Sequence, residues 1–465
     1  MPAKAPTPAR VLILSQDLLG PQMAGPGLRY YELARVLAAS CEVTLAGPLA
    51  GELLHPGFAL ASLAPAHPTA LDPLLAAADV VISNGFLLYD YPQLEELEIP
   101  WVVDAYIPSP TEGLAYYANR PLAEQLAVQR ANTAMLGRIF ARGDLFLCAN
   151  ERQRDLYMGV LTAAGRLNPY TYAQDPTLAA LLALVPYGLP PQPPRHTKAA
   201  VKGVRIPSEA RLLVWGGGIW DWLDPLTLLR ALPQVLAVHP HTYLYFPGPR
   251  HPYPERVPDM PMHQRAVALT HALGLEAHVV FGDWVPHAER ANYLLEADIG
   301  LSLHLPGVET RYAFRTRLLD YIWAGLPMVV SAGDTLSEVV EAHGLGLVVP
   351  PEDPTPLAAA LIELLAEPDA RATRHAAFAT TAASLTWERL AQPLVAFCQH
   401  PRPAADKRAR TPEEQPEPSM DAATLQSEVD DLRAERDALL QQVRAYESGR
   451  FIRTMAWLKG RLRRG

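Results

Sequence analysis

The sequence predicts an α/β protein of two similar domains followed by a helical tail. Short apolar runs that are typical of buried parallel strands alternate with helical patterns from Arg10 onward, and the same alternation starts again at Arg211. A polar, proline-rich stretch that ends near Pro207 separates the two halves. We therefore expect a first domain at 1–190, a second at 200–384 and a tail at 424–465.

Composition limits the class of protein. At 465 residues, the chain is long enough for two domains that each bury a core, and no apolar run is long enough to span a bilayer. Cys41, Cys148 and Cys398 are far apart within apolar patterns, which predicts neither a disulfide framework nor a metal site and indicates a reducing cytoplasm. The net charge of −9 argues against nucleic acid as a partner.

The first domain begins as a Rossmann-like unit. A strand at Arg10–Gln16 leads into a loop with Gly25 and Gly27, then a helix at Leu28–Ala39 and a strand at Cys41–Ala46. The glycines lack the spacing of a dinucleotide site. They either face a ligand or form a tight turn under the helix, and both interpretations require glycine.

Two further buried strands lead to an acidic residue. They are predicted at Val80–Ser83 and Trp101–Val103, and the second ends at Asp104. Ligands of open α/β sheets meet the carboxyl ends of the strands. We therefore predict that Asp104 either contacts substrate or caps the following turn.

The second domain opens on a glycine triplet. A strand at Arg211–Trp215 runs into Gly216, Gly217 and Gly218, and a helix follows. Glycines at such a turn let the backbone approach a ligand closely, so we assign Gly217 and Gly218 to a nucleotide site. Trp284, which follows a strand at Val279–Phe281, either stacks on a base or belongs to the core.

The stretch from 301 to 340 concentrates charge at two predicted helix starts. Three arginines and two acids come together there: Arg311, Arg315, Arg317, Glu309 and Asp320. A second loop-to-helix turn follows at Asp334 and Thr335. Helix N-termini present free N–H groups and favour phosphate, which predicts a site for a nucleoside diphosphate, with Asp320 accepting from ribose. The alternative is a set of surface ion pairs.

This stretch resembles the donor-binding region of the retaining glycosyltransferases of family 4, which have the GT-B fold of two Rossmann-like domains facing across a cleft. The motifs that carry the resemblance are Ala313-Phe314, Phe314-Arg315-Thr316-Arg317 before Leu318-Leu319-Asp320-Tyr321, and Ala324-Gly325-Leu326-Pro327. The resemblance covers roughly Arg10 to Cys398 and implies a helix at 385–398 that crosses back to the first domain.

The resemblance implies a nucleotide-sugar donor, UDP- or GDP-linked, and no other cofactor. Together with the patterns above, it leads us to expect catalytic roles for Glu309, Arg317 and Asp104. Donor binding is expected at Gly25, Gly27, Gly217, Gly218, Trp284, Arg315, Arg317, Asp320, Asp334 and Thr335. Tyr312 occupies the position of the family's first Glu. We expect Glu309, three residues earlier, to take the role of that Glu because the loop is bent differently. The positions of the family's Arg and Lys are occupied by Gly218 and Leu223. We therefore expect Arg317 to bind the diphosphate, alone or with Arg315 or Arg311. Without an Asp-x-Asp motif, no metal is expected there.

We therefore expect an enzyme that transfers a sugar, with retention, to a glycan or lipid-linked acceptor in cell-surface polysaccharide assembly. A nucleotide-sugar 2-epimerase on the same fold is disfavoured, because no acid/base residues for it stand out. A catalytically silent GT-B scaffold, which assembles through its tail, stays open because the Arg/Lys pair is absent.

The tail is predicted to carry two helical elements after a disordered linker at 401–423. Leu425 to Tyr446 follow heptad spacing, which predicts a coiled coil and a homodimer. Phe451, Met455, Leu458 and Leu462 share a helix face beside six basic residues, which is typical of a helix lying on an anionic membrane. We expect a cytoplasmic protein attached to the inner face of the membrane.

Overall fold

The computed structural model describes residues 7–51, 53, 57–251, 259–409, 430, 433, 434 and 436. The chain divides into a compact unit that ends at Arg408 and a second unit that begins at Ala409. The four described residues after 409 are helical. The rest of the predicted coiled coil, and all of the predicted basic helix, lie outside the described residues. In the part of the chain that is described, no helix is both long and apolar enough to cross a bilayer.

The first domain is built on a parallel sheet of seven strands, counted over the described residues, in the order β3-β2-β1-β4-β5-β6-β7. The strands are β1 Arg10–Leu14, β2 Glu42–Gly47, β3 Ala59–Ser62, β4 Val80–Ser83, β5 Trp101–Asp104, β6 Leu145–Cys148 and β7 Leu182–Leu184. The helices of this domain are α1 Gly25–Leu37, α2 Asp72–Ala76, α3 Ser109–Tyr116, α4 Leu122–Arg142, α5 Glu151–Ala163 and α6 Pro169–Gln174. Most strand residues are buried on both faces, because helices cover the sheet on both sides.

The second domain repeats this plan with a parallel sheet of six described strands, in the order β10-β9-β8-β11-β12-β13. The strands are β8 Arg211–Trp215, β9 Thr242–Phe246, β10 Val279–Phe281, β11 Ile299–Ser302, β12 Met328–Ser331 and β13 Gly346–Val349. The helices are α7 Pro225–Val238, α8 Pro261–Ala272, α9 Arg290–Glu296, α10 Val308–Tyr312, α11 Thr316–Trp323, α12 Thr335–Ala342, α13 Pro354–Ala366, α14 Ala370–Thr373 and α15 His375–Ser384. The predicted α/β class and GT-B arrangement are confirmed.

The strand orders place a crevice at the centre of each sheet. The chain reverses its winding between β1 and β4 in the first sheet and between β8 and β11 in the second. Loops at the carboxyl ends of strands on either side of such a reversal diverge and leave room for a ligand. The loop before α1 and the glycine turn after β8 lie at these two places.

The chain returns to the first domain after α15. The backbone N–H of Leu189 donates to Leu385 at 2.7 Å, and that of Trp387 donates back to Leu189 at 3.1 Å. Two short helices follow, α16 Trp387–Leu390 and α17 Gln392–Gln399, and both pack against α1. The end of the second domain is thereby fixed on the first.

The structure describes the first nine residues of the predicted linker, 401–409, and the last five of them are helical. A final helix, α18, spans Ala405–Ala409. Its Asp406 is buried and accepts two hydrogen bonds from buried Arg166, at 2.6 and 3.1 Å. The backbone N–H of Ala404 donates to Asp144 at 2.8 Å. Composition cannot reveal such a partner, because Arg166 lies far away in the sequence.

Candidate active site

The two domains enclose a cavity of about 480 Å³. The first domain contributes the loops after β1 and β5 and the segment 187–190, and the second contributes the turns after β8, β9 and β10 and the segment 313–320. The predicted site residues that line it are Gly25, Gly217, Gly218, Trp284, Glu309, Arg315, Arg317 and Asp320. Asp104, Gly27, Asp334 and Thr335 do not. Among the described residues, no group of three or more His, Cys, Asp or Glu side chains is placed to hold a metal ion.

The glycine turn after β8 packs tightly on α11. The Gly216 N–H donates to the Tyr321 hydroxyl at 2.7 Å, and that hydroxyl donates to the Leu301 carbonyl at 2.8 Å. Gly217 has a φ of +78°, which a residue with a side chain would adopt only with strain. The turn therefore brings bare backbone to the cavity wall directly above α11.

The N-terminus of α11 opens into the cavity without a side-chain cap. Helices α5, α7 and α12 begin at Asn150, Asp224 and Asp334, and each of these side chains accepts a backbone N–H of the first turn. The residue before α11 is Arg315, which makes no such bond. The first N–H groups of α11 and its dipole therefore favour an anion at this wall.

Among the described residues, no acidic side chain pairs with Arg317. Its Nη2 donates to the Gly218 carbonyl at 3.2 Å, and its guanidinium lies 5.1 Å from the centre of the Trp215 ring. Its Nη1 is buried and makes no hydrogen bond. Burial lowers the pKa of Arg317 to about 10, and the nearby charge of Arg315 adds to this, so the side chain is still charged at neutral pH. A negative group in the cavity would supply the missing partner.

Glu309 and Arg315 form a buried pair beside Arg317. Both Glu309 oxygens accept from the Arg315 guanidinium, at 2.9 and 2.6 Å. The pair is neutral as a whole, so Arg315 contributes less net charge to the cavity than the sequence suggests. Glu309 lines the cavity, and its predicted contact with sugar hydroxyls stays a prediction.

Asp320 lies on the wall formed by α9 and α11. Its Oδ1 accepts from Arg290 Nε at 2.9 Å, and Arg290 also contacts His287 and stacks on Trp323 at 4.4 Å. Burial, and next the charge of Arg290, lower the pKa of His287 well below its usual value, so this ring is neutral at pH 7. Asp320 is thus held in place by one oxygen. The described residues supply no hydrogen bond to the other oxygen.

Asp104 lies beneath the cavity wall and does not line it. Its two oxygens accept from Arg29 Nε and Nη2 at 2.7 and 2.8 Å, and both side chains are buried. Arg29 also donates to the Val185 carbonyl and lies 4.5 Å from the centre of the Tyr106 ring. The sequence predicted that Asp104 contacts substrate or caps a turn, and neither prediction includes this ion pair. The two residues lie 75 positions apart, so no local pattern indicates that they pair.

Asp334 and Thr335 lie at the interface between the domains. Asp334 Oδ1 accepts from the N–H groups of Leu336 and Ser337, at 2.8 Å each, and so caps α12. Thr335 Oγ1 accepts from Asn150 of the first domain at 3.3 Å. The sequence predicted that the starts of both α11 and α12 lie at the nucleotide site. Of these two, the start of α11 lines the cavity and the start of α12 does not.

The two glycines of the first loop differ in their surroundings. Gly25 lines the cavity and has open space where a side chain would lie. Gly27 donates its N–H to Asp17 at 3.2 Å, and a Cβ there would lie 2.8 Å from the Leu18 carbonyl. Gly27 therefore lies within the first turn of α1, where the lack of a side chain lets the helix pack closely on the preceding loop.

Sequence reasoning did not assign a role to several residues of the cavity. Trp220 and Trp222 line it with nearly parallel rings 5.3 Å apart. Glu112 faces it from α3, and its pKa is raised to about 7, first by burial and next by the charge of Glu309. The only signal in the sequence was the position of Glu112 shortly after a strand end.

Comparisons with known proteins give a family match in the second domain. Residues 210–367 match the family model of the glycosyl transferases group 1. This segment is therefore similar to the glycosyl transferases group 1. The matched segment contains the glycine turn, Trp284 and the arginine-bearing start of α11. A search of curated proteins found no match.

Solved structures of this fold align along most of the chain. Sucrose-phosphate synthase from Thermosynechococcus elongatus is 16% identical, with a TM-score of 0.58, over 84% of this chain and 98% of that one. HepE from Anabaena, in complex with UDP-glucose, is 14% identical, with a TM-score of 0.59, over 83% and 98%. WaaG, a glycosyltransferase involved in lipopolysaccharide biosynthesis, is 16% identical, with a TM-score of 0.58, over 83% and 98%. At these identities the likeness establishes the GT-B fold.

Proposed function

We propose that the second domain, together with the first domain, transfers a sugar from a nucleotide-sugar donor to a hydroxyl group of an acceptor. The observation that carries the proposal is Arg317, a charged side chain at the cavity wall that has no anionic partner in the described part of the chain. The uncapped start of α11 and the bare backbone of Gly217 adjoin it. A diphosphate would satisfy all three groups.

The remaining wall suits the other parts of such a donor. The free oxygen of Asp320 is one helical turn beyond Arg317 and suits a ribose hydroxyl. Trp284 lines the cavity near the turn at Gly248 and offers a face for a base. Glu309 would then lie beside the transferred sugar. HepE is described in complex with UDP-glucose, which supports a UDP-linked donor for this chain as well.

In the proposed reaction, the acceptor oxygen forms a bond to the anomeric carbon of the sugar. The bond from that carbon to the diphosphate oxygen breaks, and its electron pair stays on the nucleoside diphosphate. The hydroxyl proton passes to the departing phosphate on the same face, which retains the configuration. Arg317 and the N-terminus of α11 stabilise the added negative charge without a metal ion.

A catalytically silent scaffold is the second candidate. It is favoured by the glycine turn, which carries no cation: Gly218 stands where the family has Arg, and the Leu223 side chain is buried. In that case the cavity would bind a nucleotide sugar without turnover.

Titration of the purified full-length chain with UDP- and GDP-sugars separates the two candidates. We expect at least one donor to bind and to release nucleoside diphosphate, slowly with water and faster with an added acceptor. Binding without release would support the scaffold. A chain that binds none of the donors contradicts both.

The acceptor class is also a proposal. We infer a glycan or lipid-linked acceptor of a cell-surface polysaccharide. The membrane-binding pattern of the tail supports this, as does the described role of WaaG in lipopolysaccharide biosynthesis. Self-association through Leu425 to Tyr446 would place two such tails on one surface and raise their avidity.

Liposome flotation tests the membrane proposal. We expect the full chain to float with anionic vesicles and not with neutral ones, because each basic residue near an anionic surface contributes about 1 kcal/mol. A chain that ends at Ala409 retains α18 and its buried Asp406. This shorter chain should not float with anionic vesicles and should remain at the bottom of the gradient. Equal flotation of both chains, or of neither at physiological salt, would contradict membrane attachment through the tail.

A further inference from the structure

The acidic side chains that line the cavity differ in whether they have a partner. Four are engaged: Asp17 by the Gly27 N–H, Glu32 by Arg35 at 2.7 Å, Glu309 by Arg315, and Asp320 by Arg290. Glu112 is not. Within the described residues, no hydrogen bond or ion pair engages its carboxyl group, although it lines the same cavity.

Glu112 lies where the first domain faces the donor site. It is in the first turn of α3, directly after the cavity-lining segment 106–108. Helix α3 packs against α10, which carries Glu309 on the other side of the domain boundary. The charged groups that act on it from the second domain are Glu309 and Arg315, and it acts in turn on Tyr106 and Tyr157 of its own domain.

An unpaired carboxyl group in this position costs stability. It loses hydration, gains no hydrogen bond in return and lies near the like charge of Glu309. Arg315 opposes this only in part, because its guanidinium is already bound to Glu309. Glu112 is half-buried, and titratable groups that lack a partner in a cleft are candidates for ligand contact. With a pKa of about 7, this carboxyl group can donate or accept a hydrogen bond at neutral pH.

We propose that Glu112 is the acceptor-binding residue of the cavity and holds a hydroxyl group of the acceptor against the donor sugar. This inference rests on the proposed function. Two carboxyl groups, Glu112 and Glu309, bound the place where the acceptor would lie, so an anionic group is disfavoured there and a neutral hydroxyl is favoured. The acceptor group in contact with Glu112 is therefore that of an uncharged sugar.

The experiment compares Glu112→Ala and Glu112→Gln with the wild type in the full-length chain. Glucose, galactose and mannose serve as acceptor probes, and transfer is the release of nucleoside diphosphate above hydrolysis. For Glu112→Ala we expect the acceptor KM to rise at least tenfold while the affinity for UDP and GDP changes less than twofold. The acceptor KM of Glu112→Gln should lie between those of the wild type and Glu112→Ala. Unlike the KM of the wild type, it should not change between pH 6 and 8. Glu124→Gln, an exposed change on α4, is the control and should change neither quantity.

Two outcomes would overturn the inference. One is an unchanged acceptor KM in Glu112→Ala, and the other is a wild-type release rate that none of the three sugars changes. If the wild type binds neither UDP nor GDP, this result would instead contradict the proposed function itself. The two failures are therefore distinguishable.

Thermal unfolding tests whether the role of Glu112 is merely structural. The pKa of Glu112 is raised in the folded chain, so the folded state holds this proton more tightly than the unfolded state does. Its contribution to stability is present at low pH and is lost as the pH rises from the unfolded pKa, near 4.5, to about 7. We expect Glu112→Gln to melt at a higher temperature than the wild type at pH 8 and at the same temperature below pH 4. A lower melting temperature at pH 8 would indicate a structural carboxylate.

Discussion

Replacing Arg317 with alanine is expected to weaken the binding of nucleoside diphosphate by about 30- to 4,000-fold. This range corresponds to roughly 2–5 kcal/mol, the usual loss when one partner of a desolvated charge pair is removed. The effect should be large here because Glu309 already neutralises Arg315, which leaves Arg317 as the cation without a partner at the start of α11. Isothermal titration with UDP and GDP measures it.

Two further variants sharpen this test. Arg317→Lys keeps the charge but loses the planar pair of donors, so we expect an affinity between those of the wild type and the alanine variant. Arg311→Ala is the matched control, because Arg311 is exposed, does not line the cavity and lies in the same segment. Its affinity should equal that of the wild type. Equal affinities of Arg317→Ala and Arg311→Ala would show that the diphosphate lies elsewhere.

The second large effect concerns stability. Asp104→Asn should lower the free energy of unfolding by about 3–5 kcal/mol, because it leaves Arg29 buried with no charged partner. Urea denaturation followed by fluorescence measures this loss. Nucleoside diphosphate affinity, measured where the variant is folded, should change less than about threefold, because the groups proposed to bind it belong to the second domain.

The exposed pair of Arg10 and Asp79 offers the control. Asp79→Asn breaks a surface ion pair and should cost no more than about 1 kcal/mol. A variant Asp104→Asn that unfolds like the wild type and yet loses transfer activity would restore the direct contact with substrate that the sequence suggested.

The sequence by itself determined the fold class, the two-domain plan and most of the strands. Buried parallel strands are short apolar runs, and several helices are preceded by Asn or Asp or have Pro in their first turn, so the signal for these elements lies within a few neighbouring residues. The same holds for the site at the start of α11. Glu309, Arg315, Arg317 and Asp320 reach the cavity together because all four lie within residues 309–320, on α10, on α11 and in the short loop between them.

Only the tertiary structure decided which charges are paired. Arg29 lies 75 positions from Asp104, and Arg166 lies 240 positions from Asp406, so no local pattern indicates that these groups neutralise each other. The same applies to Glu112, which is distinguished by the partner it lacks. The energy of a buried charge depends on what surrounds it in space. In this protein that environment pairs Asp104 with Arg29, and among the described residues it leaves Arg317 and Glu112 without an ion-pair partner at the cavity.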